Sequence, residues 1–339
     1  MTHTNYLNGK VDRSTAETFI SNKVILITGG SGALGNALIG RLLALNPREI
    51  RILSRDEKLQ DLTRERYPDA RCKYLLGDVR DYFSIRNAVV GVDIVIHAAA
   101  FKYLDLAENQ VMECIKTNID GSMNVINAVK DEKNVGICLG ISTDKAASPI
   151  NVYGMSKALM EKLFCEAERT KYSTLNTKFL TVRYGNVLMT TGSVVPHWKK
   201  AYEKGEPIKV TDPTMTRFMF TLDDSIDLIL YALIYGLGGD VISVKMPAVL
   251  LGNIAEIMSK SKVPVEIIGR RPGEKTHECL IADFECKDTI DVGHNFVIRP
   301  HSNMGITSPL GVKEPFHSSN ARMLNREEIT ELLQKVGAF

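Results

Sequence analysis

From Lys23 onward the chain alternates short apolar, β-branched runs with longer stretches in which apolar side chains recur at helical spacing. That alternation is the pattern of β-α-β units and a parallel sheet. It predicts strands at Val24–Thr28, Ile50–Leu53, Cys72–Leu76, Asp93–His97, Val135–Ser142 and Lys178–Arg183. Several are almost wholly apolar, as strands covered by helices on both faces should be. Between the first two, Leu34, Leu38 and Leu42 mark one face of a helix that Asn46-Pro47 ends. Beyond Arg183 the rhythm weakens, and Pro196, Pro207, Pro213, Pro247, Pro264 and Pro272 punctuate the chain. Within that part Leu222–Tyr235 reads as a helix and Asp240–Val244 as a strand that rejoins the main sheet.

Charge and composition narrow the picture by exclusion. The 339 residues carry 42 Lys and Arg against 40 Asp and Glu, a net charge of +2. A nucleic-acid partner is not expected, because neutralising several phosphates needs a clustered basic excess. Met1–Ser21 has no apolar signal segment, and no window offers the ~18 apolar residues of a membrane span. The expectation is a soluble cytoplasmic protein with no membrane partner. Cys72, Cys114, Cys138, Cys165, Cys279 and Cys286 are scattered without CxxC pairing, which reads as reduced thiols and no metal site.

The first chemistry-bearing motif is Thr28-Gly29-Gly30-Ser31-Gly32-Ala33-Leu34-Gly35, which leaves a predicted strand and opens a predicted helix. Gly29, Gly32 and Gly35, three apart, allow a tight turn, close approach of a pyrophosphate and packing of helix on sheet. Glycine can also serve a tight turn for backbone reasons alone. In this strand-loop-helix context dinucleotide binding is the better reading, and the fold class follows: a Rossmann-type doubly wound parallel α/β sheet with a smaller C-terminal substrate-binding domain. Residues 23–185, joined by 215–245, form the expected dinucleotide-binding domain; residues 186–214 and 246–339 form the substrate domain and tail, and 1–22 an N-terminal extension.

At the end of the second strand the sequence is Leu53-Ser54-Arg55-Asp56. A hydroxyl followed by a guanidinium suits a 2′-phosphate, which favours NADP over NAD. Arg55 could equally begin a solvated helix face, and Asp56, one residue late for the ribose role, keeps NAD open. Asp78 and Val79, after the third strand, are placed to approach the adenine, with a plain helix N-terminus near Asp81 as the competing reading. Tyr153 and Lys157, four apart at the start of a predicted helix Val152–Arg169, share one helix face. A cation there should lower the phenol pKa and make Tyr153 a base, although YxxxK also occurs on helices by chance.

Together TGGSGALG, His97-Ala98-Ala99-Ala100, Thr117-Asn118, Ser142 to Lys145 and Tyr153 with Lys157 resemble the extended short-chain dehydrogenase/reductase family. More narrowly, HAAAFKYLDLAE (97–108), ECIKTNIDGSMNVINA (113–128), STDKAASPINVYGMSK (142–157), VRYGNVLMTTGSVVP (182–196), MTRFMFTLDD (215–224) and RPGEKTHE (271–278) resemble UDP-N-acetylglucosamine 4,6-dehydratases of bacterial polysaccharide and flagellin-sugar synthesis, the C5-inverting branch in particular. The resemblance covers most of the chain from Lys23 to about Leu280. It implies oxidation at C4, loss of water across C5 and C6, and reduction at C6, with NADP as cofactor and homo-oligomers as the usual assembly.

By the same resemblance Tyr153 takes the 4-hydroxyl proton with Lys157 in support, Thr143 bonds O4, Asp144 protonates the departing 6-hydroxyl and Lys145 removes H5. A lysine base must be partly neutral, so Lys145 is expected to have a lowered pKa. Asp144 and Lys145 could instead form only a loop salt bridge. The cofactor set is expected to comprise Thr28, Gly29, Ser31, Gly32, Ala33, Leu34, Gly35, Ser54, Arg55, Asp78, Val79, Ala98, Ala99, Ala100, Asn118, Tyr153 and Lys157. A UDP-N-acetylhexosamine would meet Lys102, Asn186, Val195, Arg217, Arg271 and Glu274, the arginines suiting its diphosphate. Asn186 also reads as a turn residue and Ser193–Pro196 as a plain loop. Tyr153 stands where the C5-retaining branch carries methionine, which implies inversion. The segment Phe101-Lys102-Tyr103-Leu104-Asp105 departs from the branch pattern of a histidine and a proline, which bears on sugar choice. Two other functions fit parts of this set: a UDP-sugar 4-epimerase, and a redox-sensing NADP-binding protein without catalysis.

Overall fold

A computed structural model describes residues 10–173, 175–190, 192–299 and 311–339. Parts of the expected extension (1–9) and tail (300–310) lie outside the described residues. Six parallel strands, Val24–Thr28 (β1), Glu49–Ser54 (β2), Cys72–Leu76 (β3), Ile94–His97 (β4), Ile137–Ile141 (β5) and Lys178–Arg183 (β6), form the order β3-β2-β1-β4-β5-β6. This doubly wound order puts the switch point between β1 and β4, where open α/β sheets bind ligands. Val241–Val244 extends the sheet parallel to β6, and Asn295–Ile298 and Thr289–Val292 add antiparallel strands at that edge, nine in all.

Side chains alternate across the sheet. Ile25 and Ile27 of β1 join Leu38, Leu42, Ile226 and Ile229 on one face, while Val24 and Leu26 join Val125, Val129, Met160 and Phe164 on the other. Fully burying one such side chain is worth roughly 1.5–3 kcal/mol, so both helix layers are held by many small increments. Strand β4 begins one residue later than its pattern predicts. Asp93 still donates its backbone N–H to Val24 O at 2.9 Å, and its carboxylate accepts from the Val24 N–H at 2.7 Å, which closes the start of β1. The helix Val111–Ile115 runs through a π turn, Lys116–Asp120, into Gly121–Glu132, a turn no periodicity announces.

A second core surrounds Trp198, whose indole N–H donates to Lys209 O at 2.9 Å. It packs the helices Val194–Lys204, Leu251–Ser259 and Arg326–Lys335 over Ile208–Val210 and Val265–Ile267. A small sheet of Ala248–Leu250, Thr216–Phe220 and Asn186–Val187 lies between this core and the large sheet; its central strand contributes Phe218 and Phe220 to the core of the large sheet, while Met219 and the preceding Met215 join the second core. One cavity of about 1350 Å³ runs from the loop after β1 to this second core. Single small-molecule sites are typically ~300–1000 Å³, so the space suits two ligands end to end.

Candidate active site

The loop after β1 is held by contacts that only glycine permits at two points. Gly29 has φ +66°, and a Cβ there would lie 2.8 Å from the Ala99 backbone. A Cβ on Gly35 would stand 2.3 Å from the Gly30 carbonyl oxygen, so the helix Ala33–Leu43 packs as close as it does only without one. At the start of that helix Gly32 supplies no side-chain cap, which leaves backbone N–H groups for an anion. Gly29, Ser31, Gly32, Ala33, Leu34, Gly35, Ser54, Arg55, Asp78, Val79, Ala98, Ala99 and Ala100 all line the cavity. The cradle therefore fits a dinucleotide.

Two of the expected cofactor residues, Thr28 and Asn118, do not line the cavity. Thr28 is fully buried, its hydroxyl bonded to His97 Nδ1 at 2.8 Å and accepting from Ala99 N at 3.3 Å, so it braces the loop from behind. Asn118 spends its amide on Phe101 N and O and on Ser156 Oγ, at 2.7, 2.9 and 2.9 Å, and does not open to the cavity. Its neighbour Thr117, brought round by the π turn, does line the cavity, and its buried hydroxyl has no partner. Such turns recur at functional sites. His97 is neutral, burial holding it down at about 3 with both ring nitrogens bonded to Thr28 and Ser122.

At the end of β2 the Ser31 and Ser54 hydroxyls touch, and Arg55 Nη1 lies 3.5 Å from Asp78. Arg80, which the sequence reading did not single out, grips Asp78 at 2.7 Å and Glu113 at 2.9 Å. Burial tends to raise the Asp78 pKa, and the bonds from Arg80 outweigh it and hold it low. Asp56, the residue that kept NAD open, caps the next helix by accepting from Leu59 N at 2.8 Å. Its carboxylate thus already serves a backbone donor, which weakens the ribose role.

The groups expected to react meet where β5 ends. A 3₁₀ turn, Asp144–Ala146, packs so tightly on the helix Val152–Thr170 that a Cβ on Gly154 would stand 2.3 Å from Lys145 O. Asn151 caps that helix through Gly154 N (2.7 Å) and donates to Gly273 O (2.8 Å). Thr143, Lys145, Tyr153 and Lys157 line the cavity. Asp144 is fully buried behind them, bonded to Lys145 Nζ and Thr143 Oγ1, each at 3.0 Å, with its second oxygen unpartnered.

The electrostatics depart from expectation. Burial pushes the Tyr153 phenol up to about 12, and Lys145 and a bond from Thr143 oppose it. Lys157 donates instead to Met160 Sδ at 3.0 Å, and burial brings it down to about 8. Lys145, expected to be lowered, is raised: burial works against its charge, but Asp144 and Glu278, at 3.0 and 3.3 Å, outweigh it. Burial raises the Asp144 carboxyl, which suits a proton donor.

Lys102, Asn186, Val195, Arg217, Arg271 and Glu274 also line the cavity, and burial lowers the Lys102 pKa. Arg217 is less available to a diphosphate than expected. Its Nη1 donates to Thr216 O and Thr276 O, at 2.8 and 3.2 Å, and its Nε faces Glu278 at 3.8 Å. Arg271 is more open and meets Asp105 across the cleft at 3.2 Å. Glu274 accepts from Arg271 N at 3.2 Å, so it shapes that loop. Glu278, which closes the RPGEKTHE segment, lines the cavity without having been assigned a role there. Its only sequence signal was membership of that segment.

Residues 25–300 match the family model described as polysaccharide biosynthesis protein. The chain belongs to this family, within the extended short-chain dehydrogenases/reductases. A member from Rickettsia bellii (strain RML369-C), named UDP-glucose 4-epimerase, is 40% identical over 328 residues, 92% of this chain and 95% of its own. An uncharacterized membrane protein MJ1061 of Methanocaldococcus jannaschii is 35% identical over 328 residues, 94% of this chain and 97% of its own. Among the described residues here, no helix is long and apolar enough to cross a membrane. The X-ray structure of Pen from Bacillus thuringiensis matches with a TM-score of 0.88 at 32% identity, covering 94% of this chain and 98% of Pen.

Proposed function

We propose that this chain is an NADP-dependent UDP-N-acetylglucosamine 4,6-dehydratase that inverts C5, acting in surface-polysaccharide or glycan sugar synthesis. The observation that carries this reading is the shared cavity: Thr143, Lys145 and Tyr153 line the space that the glycine loop enters at one end and Arg271 at the other. An enzyme acting on a nucleotide sugar with a dinucleotide needs those three groups between two phosphate sites. The dinucleotide belongs to residues 23–185 with 215–245, and the UDP-sugar to 186–214 with 246–339. Ser31, Ser54 and Arg55 suit a 2′-phosphate, and the commitment of Asp56 to a helix cap supports NADP over NAD.

When bound, the nicotinamide supplies two-electron oxidation and its reversal. Tyr153 accepts the proton of the sugar 4-hydroxyl, and Thr143, which bonds Tyr153, orients O4. The 4-ketone acidifies H5, which Lys145 removes, while Asp144 delivers a proton to the departing 6-hydroxyl. Asn186 and Lys102 hold the hexose, Val195 and Glu274 shape the nucleotide pocket, and Arg271 meets the diphosphate on leaving Asp105.

A second reading, UDP-sugar 4-epimerase, draws support from one observation: Lys145 is held as an ammonium by two carboxylates, a state in which it cannot take H5. The names of the Rickettsia relatives favour the same reading. A non-catalytic redox sensor draws none, since Thr143, Lys145 and Tyr153 converge on one cavity. Incubation with NADP and UDP-N-acetylglucosamine in D2O, followed by NMR and mass, separates them. The dehydratase yields a 4-keto-6-deoxy sugar lighter by one water, with deuterium at an inverted C5. A 4-epimer of unchanged mass would establish the second reading, and an unaltered sugar would reject both for this substrate.

A further inference from the structure

Arg217 and Arg271 both line the cavity, and their guanidinium groups are held in different ways. Arg217 is 6% exposed; its Nη1 donates to the Thr216 and Thr276 carbonyls and its Nε faces Glu278. Those acceptors are fixed backbone and a buried carboxylate, so drawing Arg217 away would strand them. The partner of Arg271 is of another kind. Its Nη1 donates to Asp105 Oδ2 at 3.2 Å, with the two side chains 52% and 63% exposed. Water can take the place of either partner there, so parting this pair costs little.

The backbone on each side of the pair is fastened independently of it. In the Arg271 loop the Gly273 carbonyl accepts from Asn151 Nδ2 at 2.8 Å, and the Arg271 N–H donates to Glu274 Oε2 at 3.2 Å. Asp105 lies in the first turn of the helix Leu104–Asn109, in whose last turn Glu108 accepts from Val152 N at 2.7 Å. Just before that helix the Tyr103 ring packs on Gly192, where φ is +83° and a Cβ would overlap the ring. Tyr103, Asp105, Gly192 and Arg271 all line the cavity, so the two segments face each other across it. Anchored in this way, they can stay in place while the guanidinium alone changes partner. A carboxylate offers a guanidinium the same chemistry as a phosphate, negative oxygens that accept its N–H bonds.

We propose that Asp105 is a positioning residue for Arg271 that acts as a built-in competitor for the diphosphate: it holds the guanidinium across the cleft and lightens the grip on UDP, in substrate and product alike. The inference rests on the reading above that a UDP-sugar places its diphosphate at Arg271. The UDP group is the same before and after the reaction. Asp105 therefore gives up Arg271 as substrate enters and takes it back as product leaves, and a tighter hold would help neither the chemical step nor release.

The experiment titrates UDP and uridine calorimetrically into the NADP-loaded chain at low ionic strength, where exposed charges are least screened. It compares the unaltered chain, Asp105→Asn, Arg271→Met and the double variant. Asp105→Asn is expected to tighten UDP by ~2–5-fold, the range open to an exposed ion pair. Uridine, which has no phosphate, should bind as before. In the Arg271→Met background the same change should lose most of its gain, because no guanidinium is left to release. With UDP-N-acetylglucosamine as substrate, Asp105→Asn should lower KM by a similar factor without raising kcat, as for an interaction felt equally by substrate and transition state. UDP affinity that is unchanged or weaker in Asp105→Asn overturns the proposal. So does a gain of equal size in the Arg271→Met background, which would come from the field of the carboxylate and not from its hold on Arg271. UDP affinity that Arg271→Met leaves intact is a separate outcome: it overturns the placing of the diphosphate at Arg271 and the inference with it.

Discussion

Arg183, on β6 at 1% exposure, uses all five of its N–H groups on buried acceptors. Nε and Nη2 bond Glu161 at 2.9 and 2.6 Å, Nη1 and Nη2 bond Glu285 at 2.8 Å each, and Nη1 also reaches Leu280 O at 2.8 Å. Ser142, next to the reactive turn, donates to Glu161 at 2.5 Å. Arg183→Met removes the cation at similar length and leaves two buried carboxylates facing each other. Truncating one partner of a buried charge cluster costs roughly 3–5 kcal/mol, and that is the expected loss at pH 7.5. The pH dependence gives a second, independent check. In the unaltered chain burial would raise Glu285, but Arg183 outweighs it and holds it low. That contribution is complete above the unfolded carboxyl value, ~4.3, and is lost only as pH falls through the lower folded value. In the variant the Glu285 carboxylate, left with burial and without its cation, titrates above ~4.3. Its folded state therefore binds a proton that the unfolded state does not, and its stability rises as pH falls, by up to ~1.4 kcal/mol per pH unit for one proton. The gap between the two proteins should narrow from pH 7.5 to 5.5. Urea unfolding at both values, read by far-UV circular dichroism and by the single tryptophan, Trp198, measures it. A loss under ~1 kcal/mol, or a gap equal at both pH values, would refute the reasoning.

Lys157→Met should separate stability from activity. Burial brings Lys157 from 10.5 to about 8, so the charged form costs the fold on the order of 3 kcal/mol at neutral pH, a cost that shrinks as pH rises from 8 towards 10.5. The variant is expected to melt at a higher temperature at pH 7 while losing turnover; a lower melting temperature would show that the Lys157 amine stabilises its pocket. Gly35→Ala forces a Cβ to within 2.3 Å of Gly30 O, so the helix Ala33–Leu43 must back away at a cost of about 1–3 kcal/mol. Calorimetric titration should find NADP affinity reduced about tenfold or more, and an unchanged affinity would show that the helix start does not hold the phosphates.

Local pattern was enough for the β1-to-β6 rhythm, the glycine turn and the convergence of Tyr153 with Lys157, because strand period, helix period and turn chemistry act between near neighbours in sequence. The reach of the reading ended where burial and long-range contact took over. Tyr153 and Lys157 share a helix face as their spacing implied, yet the cation that most lowers the Tyr153 phenol is Lys145, and burial dominates both titrations. Asn118 looked like a ligand group and clamps Phe101; Thr117 beside it faces the cavity because a π turn rotates it there. Arg80, Glu278 and Ser318 lie on segments far apart in the chain, and their work consists of distances to Asp78, Lys145 and Glu278 that no single segment encodes. Which groups the fold removes from water, and which opposite charges it leaves beside them, is settled only when distant segments pack, and those two quantities set the protonation states on which the chemistry depends.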